Sequence, residues 1–137
     1  MSMRDYAVNT YGLYLDEEDI RTIYTNYYDK EIDEDMFFPD IVWELYEDSV
    51  IEFESSFTGE AVGLDDKGNP EWCDVLEYYS DDSVYYVQLA YQPSLLNRPY
   101  RDLDEAVAEL RNTMDGLLPD DFDYRKQLCL IAGTYYG

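Results

Sequence analysis

The sequence predicts an α+β fold: an antiparallel sheet of about four to five strands with about three helices packed on it, forming one domain over residues 1–137. Three observations carry this expectation. Apolar residues recur at helical spacing in three stretches, alternating β-branched and aromatic residues occupy both ends and the centre, and turn-forming residues separate them without a long linker. A chain of 137 residues can bury one sizeable core, and 46% hydrophobic content separates it from disordered acidic sequences.

The elements follow in order. Residues 4–14 alternate loosely through Val8, Tyr11, Leu13 and Tyr14, the pattern of a strand. Asp16 can then cap a helix by accepting from its free first-turn amides, with Glu17, Glu18 and Asp19 suited to the positive end of the helix dipole. Ile20, Ile23, Tyr24, Tyr27 and Tyr28 form its apolar-aromatic face, and the helix ends near Asp29. Pro39 suits the first turn of a second helix, where its missing amide costs nothing. Val42, Tyr46, Val50, Phe53 and Phe57 extend that helix to about Ser56, although Ile51, Phe53 and Phe57 also fit strand alternation.

Beyond Thr58-Gly59 the pattern predicts a meander: a strand over 60–64, a turn at Asp65–Asn69, and strands over 73–79 and 84–91. If Tyr79 lies opposite Val84, residues 80–83 form a loop with Asp81 and Asp82 at its tip. Leu76, Tyr78, Tyr85, Val87 and Leu89 then share an apolar face, leaving Tyr79 and Tyr86 on the other. Pro93 and Pro99 mark a loop, and Asp102 with Glu105 makes a capping box for a third helix. Its stripe is Leu103, Ala106, Val107, Leu110, Met114 and Leu117, stopped by Pro119. Residues 128–136 read as a final strand.

Charge is the most informative single property. The net charge is −23, from 32 acidic and 9 basic residues, and it is unevenly placed. Residues 1–82 hold 24 acidic and 4 basic residues, net −20, whereas residues 83–137 carry net −3. Such self-repulsion is understandable if a cationic partner covers it, and sixteen tyrosines suit an interface better than simple adaptation to salt. Glu44, Glu47, Asp48, Glu52 and Glu54 fall largely off the second helix's apolar stripe with no base at helical spacing. Acids and tyrosines also coincide at Tyr27-Tyr28-Asp29, around Tyr46, and between Tyr78 and Tyr86. Such groups can meet arginine twice, by carboxylate hydrogen bonds and by stacking. Asp29, Glu44, Glu47, Asp48, Glu52, Tyr79, Asp81, Asp82 and Tyr86 are therefore the candidate partner-binding residues.

Little in the sequence points to catalysis. There is no histidine to serve as a general base, no GxSxG context for a serine, and no phosphate-cradling glycine loop. The two cysteines, Cys73 and Cys129, lack metal-ligand spacing. The stretch LDDKGN departs from a calcium loop because the twelfth position from Asp65 is Leu76 and not glutamate. The expectation is a non-enzymatic protein without metal or cofactor. No apolar run reaches the length of a membrane span and no secretory leader is evident, which predicts a soluble, cytoplasmic protein.

MSMRDYAVNTYGLYLDEEDI at the start, and DFDYR and IAGTYYG at the end, resemble small acidic proteins of Firmicutes prophages and mobile elements, a group that includes anti-CRISPR inhibitors. The resemblance implies a phage-encoded inhibitor of host defence, acting in the bacterial cytoplasm on a Cas9-type nuclease or its guide complex. Such nucleases hold nucleic acid in a positively charged channel, so an acidic, DNA-mimicking surface is a compatible mechanism. Direct binding of nucleic acid is not expected, since the chain has no basic stripe. Two other readings stay open: a DNA-mimic antirestriction protein, and an acidic accessory or structural phage protein without a cationic partner.

Overall fold

The computed structural model describes residues 5–33, 35–89 and 103–136; the side chains of residues 5–9, 56, 74, 77–82 and 135–136 lie outside that description. Among the described residues the chain order is β1 (Asp5–Leu15), α1 (Glu17–Tyr28), α2 (Phe38–Glu47), β2 (Glu52–Leu64), β3 (Pro70–Gln88), α3 (Leu103–Thr113), α4 (Tyr124–Gln127) and β4 (Leu128–Tyr136). The α+β class is as expected. The sheet, however, closes on itself as an antiparallel barrel in the order β1-β3-β2-β4, with β4 returning to β1. Counted as continuous segments there are four strands; counted more finely the sheet has seven, more than the four or five expected.

Closure of so few strands requires strong bending, and the irregular β2–β3 pair supplies it. The register of β2 against β3 slips between Glu54 and Phe57, between Phe57 and Gly59, between Ala61 and Val62, and between Val62 and Leu64. There is an extra residue on β2 at the first shift and extra residues on β3 at the other three. A slipped residue bends the strand and exchanges the faces of everything beyond it. Ile51 and Leu64 accordingly join the helix-side core, while Phe57 and Ala61 join a second cluster with Val84, Tyr86, Cys129 and Ile131. The larger core lies between the helices and the other face of the strands, with Leu13, Leu15, Ile20, Ile23, Ile41 and Leu45 fully buried.

α1 begins as its sequence dictates. The Asp16 carboxylate accepts from the Asp19 N–H at 2.8 Å, and the Asp19 carboxylate accepts from the Asp16 N–H at 3.2 Å, a reciprocal capping box. Burial pushes the Asp19 carboxyl up to about 6, opposed by its bond from the Asp16 backbone and assisted by the charges of Asp16 and Glu18. The folded chain therefore holds a proton that the unfolded chain has lost. Between the ordinary value of 3.8 and about 6 this makes stability fall as pH rises. The overall negative charge acts in the same direction. The thermal midpoint is expected to rise on acidification from neutrality to about pH 5. Asp19→Asn, whose amide oxygen can still accept from Asp16, should flatten part of that rise. A midpoint that drops on mild acidification would contradict this account.

α2 starts with Pro39 in its first turn, as expected, but ends at Glu47 and not near Ser56. The Ser49 N–H donates to the Tyr46 carbonyl at 3.0 Å and the Val50 N–H to the Leu45 carbonyl at 2.9 Å, with Ser49 left-handed at φ 61°. This is a Schellman termination with serine where glycine is usual, so the familiar stop signal is missing from the sequence. Beyond it, Glu52 and Glu54 lie on strand β2, opposite Tyr86 and Val84. The expected helical acidic face is shorter than the sequence suggested.

The turn at Asp65–Asn69 forms as expected. Asp65 Oδ1 accepts from the N–H groups of Lys67 and Asn69, both at 2.9 Å, which lowers the pKa of its carboxyl, and Gly68 takes φ 84°. The second expected hairpin does not form. β3 runs unbroken through Asp81 and Asp82: Asp82 lies opposite Phe57, Tyr79 opposite Gly59, and Val84 opposite Glu54. Pairing with β2 keeps the backbone extended despite the polar residues, and the two aspartates are strand positions, not a loop tip. The apolar face also divides. Tyr85, Val87 and Leu89 pack toward the helices, whereas Leu76 packs on the Phe57 cluster.

α3 buries Ala106 and Leu110, with Met114 buried just beyond, but it ends at Thr113 before Gly116 turns at φ 79°, ahead of Pro119. Asp102, the expected cap, lies outside the described residues, as do the loop of Pro93 and Pro99 and the end of the strand at Tyr91. The final strand has the expected bounds.

Candidate functional site

The acids predicted to contact a partner come together mainly along α2, against the C-terminal half of α1. Ile41, Val42 and Leu45 fill the buried side of α2, so the intervening positions project outward. Asp40, Trp43, Glu44, Tyr46, Glu47 and Asp48 are all exposed.

Two of these carboxylates are tied to tyrosines. The Tyr24 hydroxyl donates to Glu44 Oε2 at 2.5 Å, and the Tyr28 hydroxyl lies 2.7 Å from Asp48 Oδ2 and 3.0 Å from the Glu44 carbonyl. Hydrogen bonds to a charged acceptor are the stronger kind, and here they fasten α1 to α2. Burial raises the pKa of both phenols, with the hydrogen-bonded Glu44 and Asp48 adding to the rise, so both remain protonated donors at neutral pH. Lys30 holds its ammonium 5.3 Å from the Tyr24 ring centroid and 5.7 Å from that of Tyr28. Asp29 precedes it as the exposed left-handed cap of α1, at φ 51°. Tyr28→Phe should reduce stability by about 1 kcal/mol, since it removes a shared hydrogen bond at a half-exposed position. Urea unfolding would read this as a lower midpoint with unchanged slope.

None of Glu44, Glu47, Asp48 and Glu52 is ion-paired with a lysine or arginine among the described residues. Where ion pairs are seen they lie elsewhere, at Arg21–Glu17 (2.9 Å) and Arg125–Asp66 (4.0 Å). Glu47 is exposed and, among the described residues, has no hydrogen bond of the kind that engages Glu44 and Asp48. Glu52 is half-buried on β2 and borders a cavity of about 370 Å³ that Ser49, Val87, Gln88 and Thr113 also line.

The β3 candidates fare differently. Tyr86 is buried and not presented to solvent as expected: it is 5% exposed, packs in the Phe57 cluster, and its hydroxyl donates to Glu54 Oε1 at 3.0 Å. Burial raises the Glu54 pKa, opposed by that bond. The reason is parity, because residues 84 and 86 face the second cluster while 85 and 87 face the helices. Tyr79, Asp81 and Asp82 have strand backbones, and their side chains lie outside the described residues.

Three aromatic residues at this face were only partly anticipated. Trp43 is 52% exposed, and its ring centroid lies 5.7 Å from Tyr46 and 6.4 Å from Phe53; Tyr46 and Phe53 are 5.0 Å apart, nearly edge to face. The available signal was a tryptophan placed off the Ile41–Leu45 stripe and next to Glu44. Such a residue on the charged side of a helix has no core to fill. Among the described residues no three carboxylates or thiols converge in a way that could hold a metal ion, and no helix is long and apolar enough to cross a membrane. No family model, curated protein or solved structure matches the chain.

Proposed function

We propose that this protein is a non-enzymatic inhibitor that docks its acidic α2 face onto the basic nucleic-acid-binding groove of a host defence nuclease, of the Cas9 type, in place of nucleic acid. The observation that carries this reading is α2 itself. It presents Asp40, Glu44, Glu47 and Asp48 to solvent on a rigid element, with no ion-paired base among the described residues and with aromatic rings beside them. Like charges close together are mildly unfavourable in isolation and become favourable against arginines and lysines. The first 82 residues, which hold α1 and α2, carry net −20 and extend that potential over much of the molecule. Resemblance to mobile-element proteins at both ends adds the class of target.

The test is capture of a purified Cas9-type nuclease with its guide by the immobilised protein, in a salt series and in competition with target DNA. Binding should be displaced by DNA and weaken steeply as the screening length falls to about 10 Å near 0.1 M salt. Capture of a restriction nuclease under the same rules would keep the electrostatic mechanism and change the target. Salt-independent binding, or binding indifferent to DNA, would refute mimicry.

A further inference from the structure

We infer that Trp43, Tyr46 and Phe53 form an arginine-stacking shelf, so that the partner is engaged through arginine side chains in preference to lysines. The inference rests on the acidic docking reading above and specifies its chemistry. The three rings touch one another, and Phe53 also packs against the helix-side core. Trp43 is thus held in place while keeping half its surface in water. Asp40 and Glu47 lie one turn to either side of Trp43 on the same helix, three residues before and four after it, where side chains share a face. A guanidinium can lie on an aromatic ring and still reach neighbouring carboxylates with its fork of N–H donors, whereas an ammonium is a hydrated point charge. Scattered exposed aromatics need no explanation, but three in mutual contact with an acidic rim favour a cationic, planar group. The net charge of −23 opposes a second copy of this chain as the occupant.

The probes are labelled poly-arginine and poly-lysine peptides of equal length, titrated with the full chain and followed by fluorescence anisotropy at moderate salt. Poly-arginine should bind roughly fivefold tighter than poly-lysine. Trp43→Leu, which keeps an apolar side chain and loses the ring, should bring the two peptides close to equal, and Trp43→Phe should restore part of the difference. Circular dichroism of each variant establishes that it is folded. Equal binding of both peptides by the native protein, or an unchanged ratio in folded Trp43→Leu, overturns this inference while leaving the acidic docking reading in place. Binding of neither peptide overturns both. A dimer in sedimentation that dissociates on Trp43→Leu would assign the shelf to a second copy and overturn the inference as well.

Discussion

Gly133→Ala is expected to destabilise the protein by roughly 2–4 kcal/mol, a large effect for one methyl group. Gly133 on β4 pairs directly with Gly59 on β2. A Cβ at Gly133 would lie 2.4 Å from the Thr58 carbonyl oxygen, 2.7 Å from the Gly59 Cα and 2.7 Å from the Phe57 ring. The reciprocal change at Gly59 would place a Cβ 2.3 Å from the Ala132 carbonyl oxygen. Two of the three neighbours at Gly133 are backbone, so relief requires moving the strand and with it the packing of Phe57, which is fully buried. Gly116→Ala provides the contrast. Gly116 has φ 79° but nothing within 4 Å of an added Cβ, so only the backbone conformation opposes the substitution, at about 1 kcal/mol. Urea unfolding of the three proteins measures both differences. If Gly133→Ala proves as stable as the parent, β2 and β4 do not approach as closely as the Gly59–Gly133 pairing requires.

The second large effect is on binding. If the proposed docking on a nuclease holds, simultaneous Asp40→Lys and Glu47→Lys should weaken that association more than about 100-fold at low salt. Each reversal turns an attraction into a repulsion, worth between about 1 kcal/mol in water and about 4 kcal/mol near a protein surface at 4 Å. The loss should shrink as salt is added. These two positions test the interface without disturbing the fold, because Glu44 and Asp48 also hold Tyr24 and Tyr28. Surface plasmon resonance measures the affinities, and circular dichroism should be unchanged. An unaltered affinity would place the interface away from α2. Asp81-Asp82 would then be the next acidic segment to test, now understood as part of a paired strand, where substitutions risk the sheet as well as the charge.

Features governed by a few neighbouring residues were legible in the sequence. The Asp16–Asp19 capping box, the Asp65–Asn69 turn and Pro39 in the first turn of α2 each satisfy a backbone group with an adjacent side chain or remove the need to. The strand over residues 128–136 was legible because its β-branched and aromatic content had no helical alternative. Of the predicted contact acids, Glu44 and Glu47 lie on the exposed side of α2 and Asp48 at its C-cap for the same reason: the Ile41–Leu45 stripe fixes which side is buried. Residues 50–57 were ambiguous, since Val50, Phe53 and Phe57 serve a period of 3.6 while Ile51, Phe53 and Phe57 serve a period of 2.

Only tertiary structure could resolve that ambiguity. Pairing of β2 with both β3 and β4 satisfies the backbone of residues 52–64 as strand and moves Glu52 off the helix. The same pairing draws β3 straight through Asp81-Asp82, where local polarity alone suggested a turn, and sets the parity that buries Tyr86. The register shifts between β2 and β3 leave no periodic trace in the sequence, and barrel closure depends on a glycine pair 74 positions apart, at Gly59 and Gly133. By itself the sequence determined the α+β class, the charge, the local caps and turns, and the acidic side of α2, because these arise from composition and from contacts within one or two turns of chain. The tertiary structure decided where helix gives way to strand, which tyrosines are core, and that Trp43, Tyr46 and Phe53 meet, because each depends on hydrogen-bond partners or packing surfaces supplied by distant segments.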